Sequence, residues 1–103
     1  MHDGPTFTAI AALIGDHARA QMLTALMDGG ALTASELALE AGVTMPTASS
    51  HLAKLVEGGL LTLQRQGRHR YYALSGHHIA AMLETISGVA ERVGPRRARP
   101  GPR

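Results

Sequence analysis

Apolar residues recur along five segments of the chain at the spacing of a helix that buries one face. The segments cover residues 7–14, 17–27, 34–41, 45–57 and 76–93. Residues that favour helix N-caps stand before four of them, namely Asp16, Thr33, Thr44 and Ser75. Thr33 is followed three residues later by Glu36, which is the pattern of a capping box. The pattern therefore predicts a mainly helical chain with well-marked helix starts.

A different periodicity occupies the interval between the fourth and fifth segments. Leu61 and Leu63 alternate with polar residues, which is typical of a strand. Residues 66–68 then form a turn in which Gly67 is free to take a positive φ, and residues 69–74 return as a second strand. Two short helices separated by a tight turn and followed by a hairpin predict a winged helix-turn-helix. The predicted fold class is mainly α (α+β), with five helices and a two-stranded β-hairpin wing.

Length and composition limit the remaining choices. A chain of 103 residues is one domain, and with 3% aromatic residues its core must be aliphatic. No cysteine is present, which excludes disulfides and thiolate metal sites. The apolar run at residues 7–15 is too short to span a membrane, so we expect a cytoplasmic protein without membrane contact.

Charge is distributed unevenly along the chain. Four arginines and no acidic residue lie after Gly94, so residues 1–94 carry a formal net charge of −2. We predict one folded domain over residues 1–94 and a disordered basic tail over residues 95–103. Because the folded part is not basic as a whole, any surface that binds anions must be local.

The fourth helix and the hairpin together carry the chemistry expected at such a surface. A major groove admits one helix, whose short polar side chains can meet donors and acceptors on the base edges. Basic residues on a projecting hairpin can follow the phosphate backbone or enter a narrow minor groove. The predicted DNA-binding residues are Thr44, Thr47, Ser49, Ser50, His51 and Lys54 on the fourth helix and Arg65, Arg68, His69 and Arg70 on the wing.

These residues also have other interpretations. A polar helix face or a basic hairpin, taken alone, is usually only solvated surface, but their adjacency in this order favours nucleic-acid binding. A protein-interaction module built on a winged helix is the rival from another class, and it has no use for the wing arginines. The chain has no nucleophile–base pair, phosphate loop or paired carboxylates, so we do not expect an enzyme.

The stretch "LTASELALEAGVTMPTASSHLAKLVEGGLLTLQRQGRHRYYAL" resembles the core of the ArsR/SmtB family of bacterial winged-helix repressors. The most telling pieces are "SSHLAKL", "GLL" and "RQGRHRYYAL", and "GDHARAQMLTAL" is similar to the second helix of that family. The resemblance covers about residues 7–93. It implies a homodimer joined through its first and last helices that binds double-stranded operator DNA and blocks transcription. It also implies release by an inducer; a small-molecule inducer stays open, and no residue identifies it.

The apolar residues of the first and last helices support a dimer independently. One small domain cannot cover both helices, and exposed apolar patches of that size mark interfaces. The alternative is that the last helix packs on its own core, and part of it is expected to do so. The predicted dimer interface consists of Phe7, Ile10, Ile14, Ile79, Met82, Leu83, Ile86, Val89 and Val93.

The resemblance also implies where a metal site would lie. One family site needs cysteine, which this chain lacks. The other bridges the paired last helices and needs a carboxylate two residues before a histidine and two later ligands. His78 matches the histidine, but Gly76, Val89 and Arg92 occupy the other positions, and none of these side chains ligates metal. We therefore predict no metal and no cofactor. An unorthodox zinc or nickel site remains the alternative, formed by His77, His78, Glu84 and Glu91.

Some members of this family carry a second region after a similar last helix. Residues 88–103 fit either the beginning of such a region or a true tail, so both interpretations stay open.

Overall fold

The computed structural model describes residues 6–94. The predicted basic tail 95–103 and His2 lie outside the described residues. The fold has the predicted five helices and one hairpin, and their bounds are α1 Phe7–Ile14, α2 His17–Ala25, α3 Ala34–Ala41, α4 Met45–Glu57, β1 Leu61–Gln66, β2 His69–Leu74 and α5 His77–Val93. Among residues 6–94, no helix combines the length and apolar character needed to cross a membrane.

Three of the four predicted N-caps are confirmed by their hydrogen bonds. The Asp16 carboxylate accepts from the backbone N–H of Arg19 at 3.0 Å. Thr33 and Glu36 form the predicted capping box, in which each side chain accepts from the other residue's backbone N–H. Thr44 accepts from the N–H of Thr47 at the start of α4. These caps satisfy N–H groups that have no partner within their own helix.

The fourth predicted cap is wrong. Gly76, not Ser75, occupies the N-cap of α5, and no side chain caps that helix. The Ser75 hydroxyl instead donates to the carbonyl of Gly59 at 2.7 Å, while its backbone N–H donates to Leu60 at 3.0 Å. Both bonds tie the end of β2 to the turn between α4 and β1. The hydroxyl is therefore used for tertiary packing rather than for helix initiation.

The core is aliphatic, as the composition predicted. Side chains from α2, α3 and α4 meet the first residues of β1 and the first half of α5. The buried residues are Met22, Leu23, Leu26, Leu37, Ala38, Ala48, Leu52, Leu55, Leu60, Leu61, Ile79 and Leu83. No polar side chain of the described residues is buried. Hydrophobic burial therefore holds the helix-turn-helix to the base of the hairpin.

The helix-turn-helix consists of α3, a short turn and α4. Gly42 ends α3 with a φ of 67°, a left-handed conformation that glycine adopts without the cost borne by other residues. Val43 and Thr44 complete the turn. The inner side of α4 presents Ala48, Leu52 and Leu55 to the core, and all three are fully buried. The outer side of α4 is consequently left to solvent.

The wing is an antiparallel pair in which Leu61 lies opposite Leu74 and Arg65 opposite Arg70. Gly67, in the connecting turn, has a φ of 63°. One interaction was not predicted. Leu32 pairs with Tyr72 through two backbone hydrogen bonds of 3.0 and 2.8 Å, which joins the segment before α3 to the outer edge of β2. Both tyrosines of the chain, Tyr71 and Tyr72, lie on β2.

Candidate nucleic-acid interface

The exposed side of α4 carries three of the predicted residues in one line. Thr47, Ser50 and Lys54 are exposed and stand at i, i+3 and i+7, a spacing that aligns side chains along a helix. We call these three residues the reading face. Thr44 and Thr47, at its N-terminal end, are joined by a hydrogen bond between their hydroxyls of 3.1 Å. The reading face therefore offers short hydroxyls near the helix start and one ammonium group near its end.

Ser49 lies on the flank of α4 that faces the wing. It is exposed, and together with Leu63 and Tyr72 it lines an open cavity of about 330 Å³ between helix and hairpin. It is not aligned with the reading face.

His51 lies on the opposite flank and is held by other side chains. Its Nδ1 is 3.0 Å from Nη1 of Arg19, and its Nε2 is 3.8 Å from Oδ2 of Asp16. The side chain is only 17% exposed. A signal for this burial existed in the sequence, because residues 48, 51, 52 and 55 have the spacing of one buried helix face. His51 remains a predicted contact with DNA, but most of its ring is already occupied within the fold.

The surroundings of Asp16 lower the pKa of its carboxyl group. The hydrogen bond from the Arg19 backbone N–H is the main cause that lowers the pKa of the Asp16 carboxyl below its usual value. The positive charge of Arg19 acts in the same direction, and Nε2 of His51 lies 3.8 Å from the carboxylate. Asp16 is therefore a stable anion at neutral pH beside these two groups.

The wing presents its basic residues at the tip. Arg65, Arg68, His69 and Arg70 are all exposed. Arg65 and Arg70 are cross-strand partners, so their side chains share one face of the hairpin. Over residues 6–94, no carboxylate lies within 4.0 Å of a wing guanidinium. Like charges placed opposite each other repel, so an anion between them is favourable.

One residue that was not predicted from the sequence lies at this surface, and another, Arg19, contacts α4 from α2. Met45, the first residue of α4, is 46% exposed. Its position directly after the predicted N-cap Thr44 was the available signal. Arg19 was the other omission, and nothing in its helix spacing indicates that its side chain reaches α4.

The predicted dimer residues divide between core and surface. Ile79 and Leu83 are buried, and Ile10, Ile14 and Met82 are half-buried against the same core. The remaining four are exposed, with values of 87% for Phe7, 43% for Ile86, 47% for Val89 and 62% for Val93. The first half of α5 thus completes the domain, and its second half, like the start of α1, stays uncovered within one chain.

The unorthodox His/Glu metal site has no preformed cluster of ligands among the described residues. Across residues 6–94, no three histidine or acidic side chains lie close enough together to hold a metal ion. His77 and His78 are exposed in the first turn of α5. The absence of a metal site stays a prediction, because a second chain could add ligands.

Comparisons with known proteins agree with this architecture. A family described as a helix-turn-helix domain matches residues 14–64. The chain is 39% identical over 88 residues to the uncharacterized HTH-type transcriptional regulator YdfF of Bacillus subtilis (strain 168), an alignment that covers 85% of this chain and 39% of YdfF. The chain therefore spans well under half the length of that relative.

Solved structures resemble the fold over most of its length. The homodimeric winged helix-turn-helix DNA-binding domain of Mb0332 from Mycobacterium bovis superposes with a TM-score of 0.75 at 27% identity, covering 82% of this chain and 77% of that one. The cadmium metal-sensor CMTR from Mycobacterium tuberculosis superposes with a TM-score of 0.67 at 30% identity, covering 91% and 97%. With its helix-turn-helix, its wing and these relatives, the chain belongs to the ArsR/SmtB family of winged helix-turn-helix transcriptional regulators.

Proposed function

We propose that this protein is a sequence-specific DNA-binding transcriptional regulator, acting as a repressor. One observation carries the proposal: an exposed line of hydroxyl and ammonium groups on α4 stands beside a wing whose guanidinium groups have no carboxylate partner among residues 6–94. In this proposal the reading face enters the major groove, where hydroxyls can meet base edges. The wing arginines lie along the backbone or in the adjacent minor groove.

The working unit in this proposal is a homodimer. The exposed apolar residues Phe7, Ile86, Val89 and Val93 support it, because a single small domain rarely leaves such a set uncovered without a partner. The homodimeric domain of Mb0332 is a precedent among the structural relatives. Two copies related by a two-fold axis would present two reading faces to two half-sites.

Release by an unidentified small-molecule inducer and a cytoplasmic location belong to the same proposal. The absence of cysteine excludes a thiolate site for a soft metal in this chain. CMTR is described as a cadmium metal-sensor, and cadmium sensing is not part of the proposal for this chain.

Selection of duplexes from a random library, followed by anisotropy titrations, tests the function. We expect a selected duplex to bind at least a thousandfold more tightly than random DNA, as specific regulators do. A second variant, in which glutamine replaces all three wing arginines, should bind both the selected and the random duplex more weakly. Failure to enrich any sequence, with the protein folded, would favour the protein-interaction module instead.

A further inference from the structure

The side chain of Arg19, on α2, contacts both α1 and α4. Its Nε donates to the carbonyl of Leu13 at 2.8 Å, and its Nη2 donates to the carbonyl of Ala12 at 3.3 Å. These carbonyls belong to the last turn of α1 and have no partner within that helix. The third nitrogen, Nη1, lies 3.0 Å from Nδ1 of His51 on α4. A single side chain on α2 thus bridges the end of α1 to the middle of α4.

The direction of the third hydrogen bond follows from its chemistry. A guanidinium donates and cannot accept, so Nδ1 of His51 must present its lone pair to Arg19. The proton of a neutral imidazole then sits on Nε2, which faces the Asp16 carboxylate at 3.8 Å. Asp16 itself is fixed by the backbone N–H of Arg19. The orientation of His51 is therefore determined from both sides of its ring.

A second contact joins α1 to α4 about two turns further along α4. A Cβ built at Gly58, the C-cap of α4, would overlap Cδ1 of Leu13. The absence of a side chain at Gly58 lets Leu13 sit against the end of the helix. Lys54 and Glu57 border the same groove beside Arg19. α1 is thus held against α4 at two points, one polar and one apolar.

We propose that Arg19 is a positioning residue for DNA reading: by bridging α1 to His51, it fixes the orientation of the reading face relative to α1. This inference rests on the proposed function. In a dimer joined through α1, the distance between the two reading faces depends on how each α4 is held on its own α1. The centre-to-centre spacing of two half-sites follows from that distance.

Arg19→Lys is the variant that tests the bridge. Lysine keeps the charge, but one compact ammonium cannot reach both the α1 carbonyls and the imidazole as the planar guanidinium does. The measurement uses a half-site selected by the wild-type protein, offered singly and as pairs whose spacing changes by one base pair at a time. We expect the wild type to prefer one spacing. The affinity of the variant for the single half-site should be within about twofold of the wild-type affinity. Its affinity for the pair with the preferred spacing should be lower than that of the wild type by tenfold or more.

Arg92→Lys, at the exposed end of α5, is the matched control and should leave both affinities unchanged. A spacing preference that survives in Arg19→Lys would overturn the proposal. An equal loss on single and paired half-sites would also overturn it, because it would make Arg19 a residue for folding or for general charge. A wild-type protein that selects no half-site would contradict the proposed function rather than the bridge.

Variants of His51 provide an independent test. The side-chain oxygen of asparagine occupies about the place of Nδ1 and can accept from Arg19, so His51→Asn should keep the spacing preference. His51→Ala removes the acceptor and should lose the spacing preference as Arg19→Lys does, whatever its affinity for the single half-site. A spacing preference that survives in His51→Ala, or one that is lost in His51→Asn, would overturn the positioning role.

Discussion

Single side chains decide where the helices of this protein begin and which polar groups remain free. Asp16 serves two purposes, since it caps α2 through the Arg19 N–H and faces Nε2 of His51. Thr44 caps α4 and also bonds the hydroxyl of Thr47. Ser50 and Lys54 have no such tie to another side chain within residues 6–94, so their donors and acceptors are available to a ligand.

The Asp16 carboxylate predicts a specific response to acid. Its pKa is lower in the folded protein than in an unfolded chain, so its stabilising effect is complete above the unfolded value, about 3.9. The effect is lost as the pH falls through the folded pKa. Asp16→Asn keeps a capping oxygen but cannot ionise. In thermal unfolding we expect the variant to have a lower Tm than the wild type at pH 7, and this difference to shrink as the pH falls below about 3.9. A constant difference across that range would contradict the prediction.

Ser50 is predicted to read bases rather than to hold the protein on DNA. Ser50→Ala should cost on the order of 1–3 kcal/mol for the selected operator and little for random DNA. The sequence predicts the same effect for His51→Ala, and the affinity of that variant for the single half-site tests it. Thr24→Val, which removes an exposed hydroxyl from α2, is the control for Ser50 and should change neither affinity. Equal losses on both duplexes for Ser50→Ala would show that its hydroxyl contributes no sequence reading.

At the scale of elements, local chemistry predicted most of the fold. Helix starts at Asp16, Thr33 and Thr44 and the wing turn at Gly67 follow from caps and turns within a few residues. The pairing of Leu32 with Tyr72 joins residues 40 positions apart, and no periodic pattern in the sequence indicates it. Ser75 failed as a cap for the same reason, because its hydroxyl is used by the distant Gly59 carbonyl. Long-range contacts are the part that spacing along the chain does not encode.

The wing is predicted to contribute affinity without sequence reading. Arg68 is exposed in the turn between β1 and β2. Arg68→Ala should weaken binding to operator and random DNA by similar factors and reduce the salt dependence by about one phosphate contact. Titrations at several salt concentrations measure this slope. An unchanged slope would remove Arg68 from the backbone contacts, and a loss confined to the operator would make it a base-reading residue.

The whole molecule is predicted to depend on a second copy. Ile86→Glu places a carboxylate in the middle of the exposed part of α5, and burying it unpaired is costly. We expect the variant to sediment as a monomer or to unfold. Ala81→Glu, an exposed position away from the apolar stripe of α5, is the charge-matched control and should stay dimeric. A folded, dimeric Ile86→Glu protein would remove this part of α5 from the interface.

Zinc is predicted not to release the protein from DNA. One imidazole per chain, His78, cannot supply the four ligands that zinc takes in a tetrahedron. Anisotropy of a labelled operator with and without stoichiometric zinc or nickel is the measurement, and affinity should be unchanged. A loss of tenfold or more, equivalent to about 1.4 kcal/mol of coupling, that disappears in His78→Ala would show an unorthodox site with His77, Glu84 or Glu91.

The position of both tyrosines on β2 gives the protein an optical property. The chain has no tryptophan and one phenylalanine, so its near-ultraviolet emission comes from Tyr71 and Tyr72. Tyr72 packs against the core and pairs with Leu32, whereas the Tyr71 ring lies 6.2 Å from that of His69 near the wing tip. The intrinsic fluorescence of this protein is therefore a signal from one strand. Movement of the wing, or quenching of its tyrosine emission, can be followed on the unlabelled, unsubstituted chain. The helices contribute no tyrosine emission to this signal.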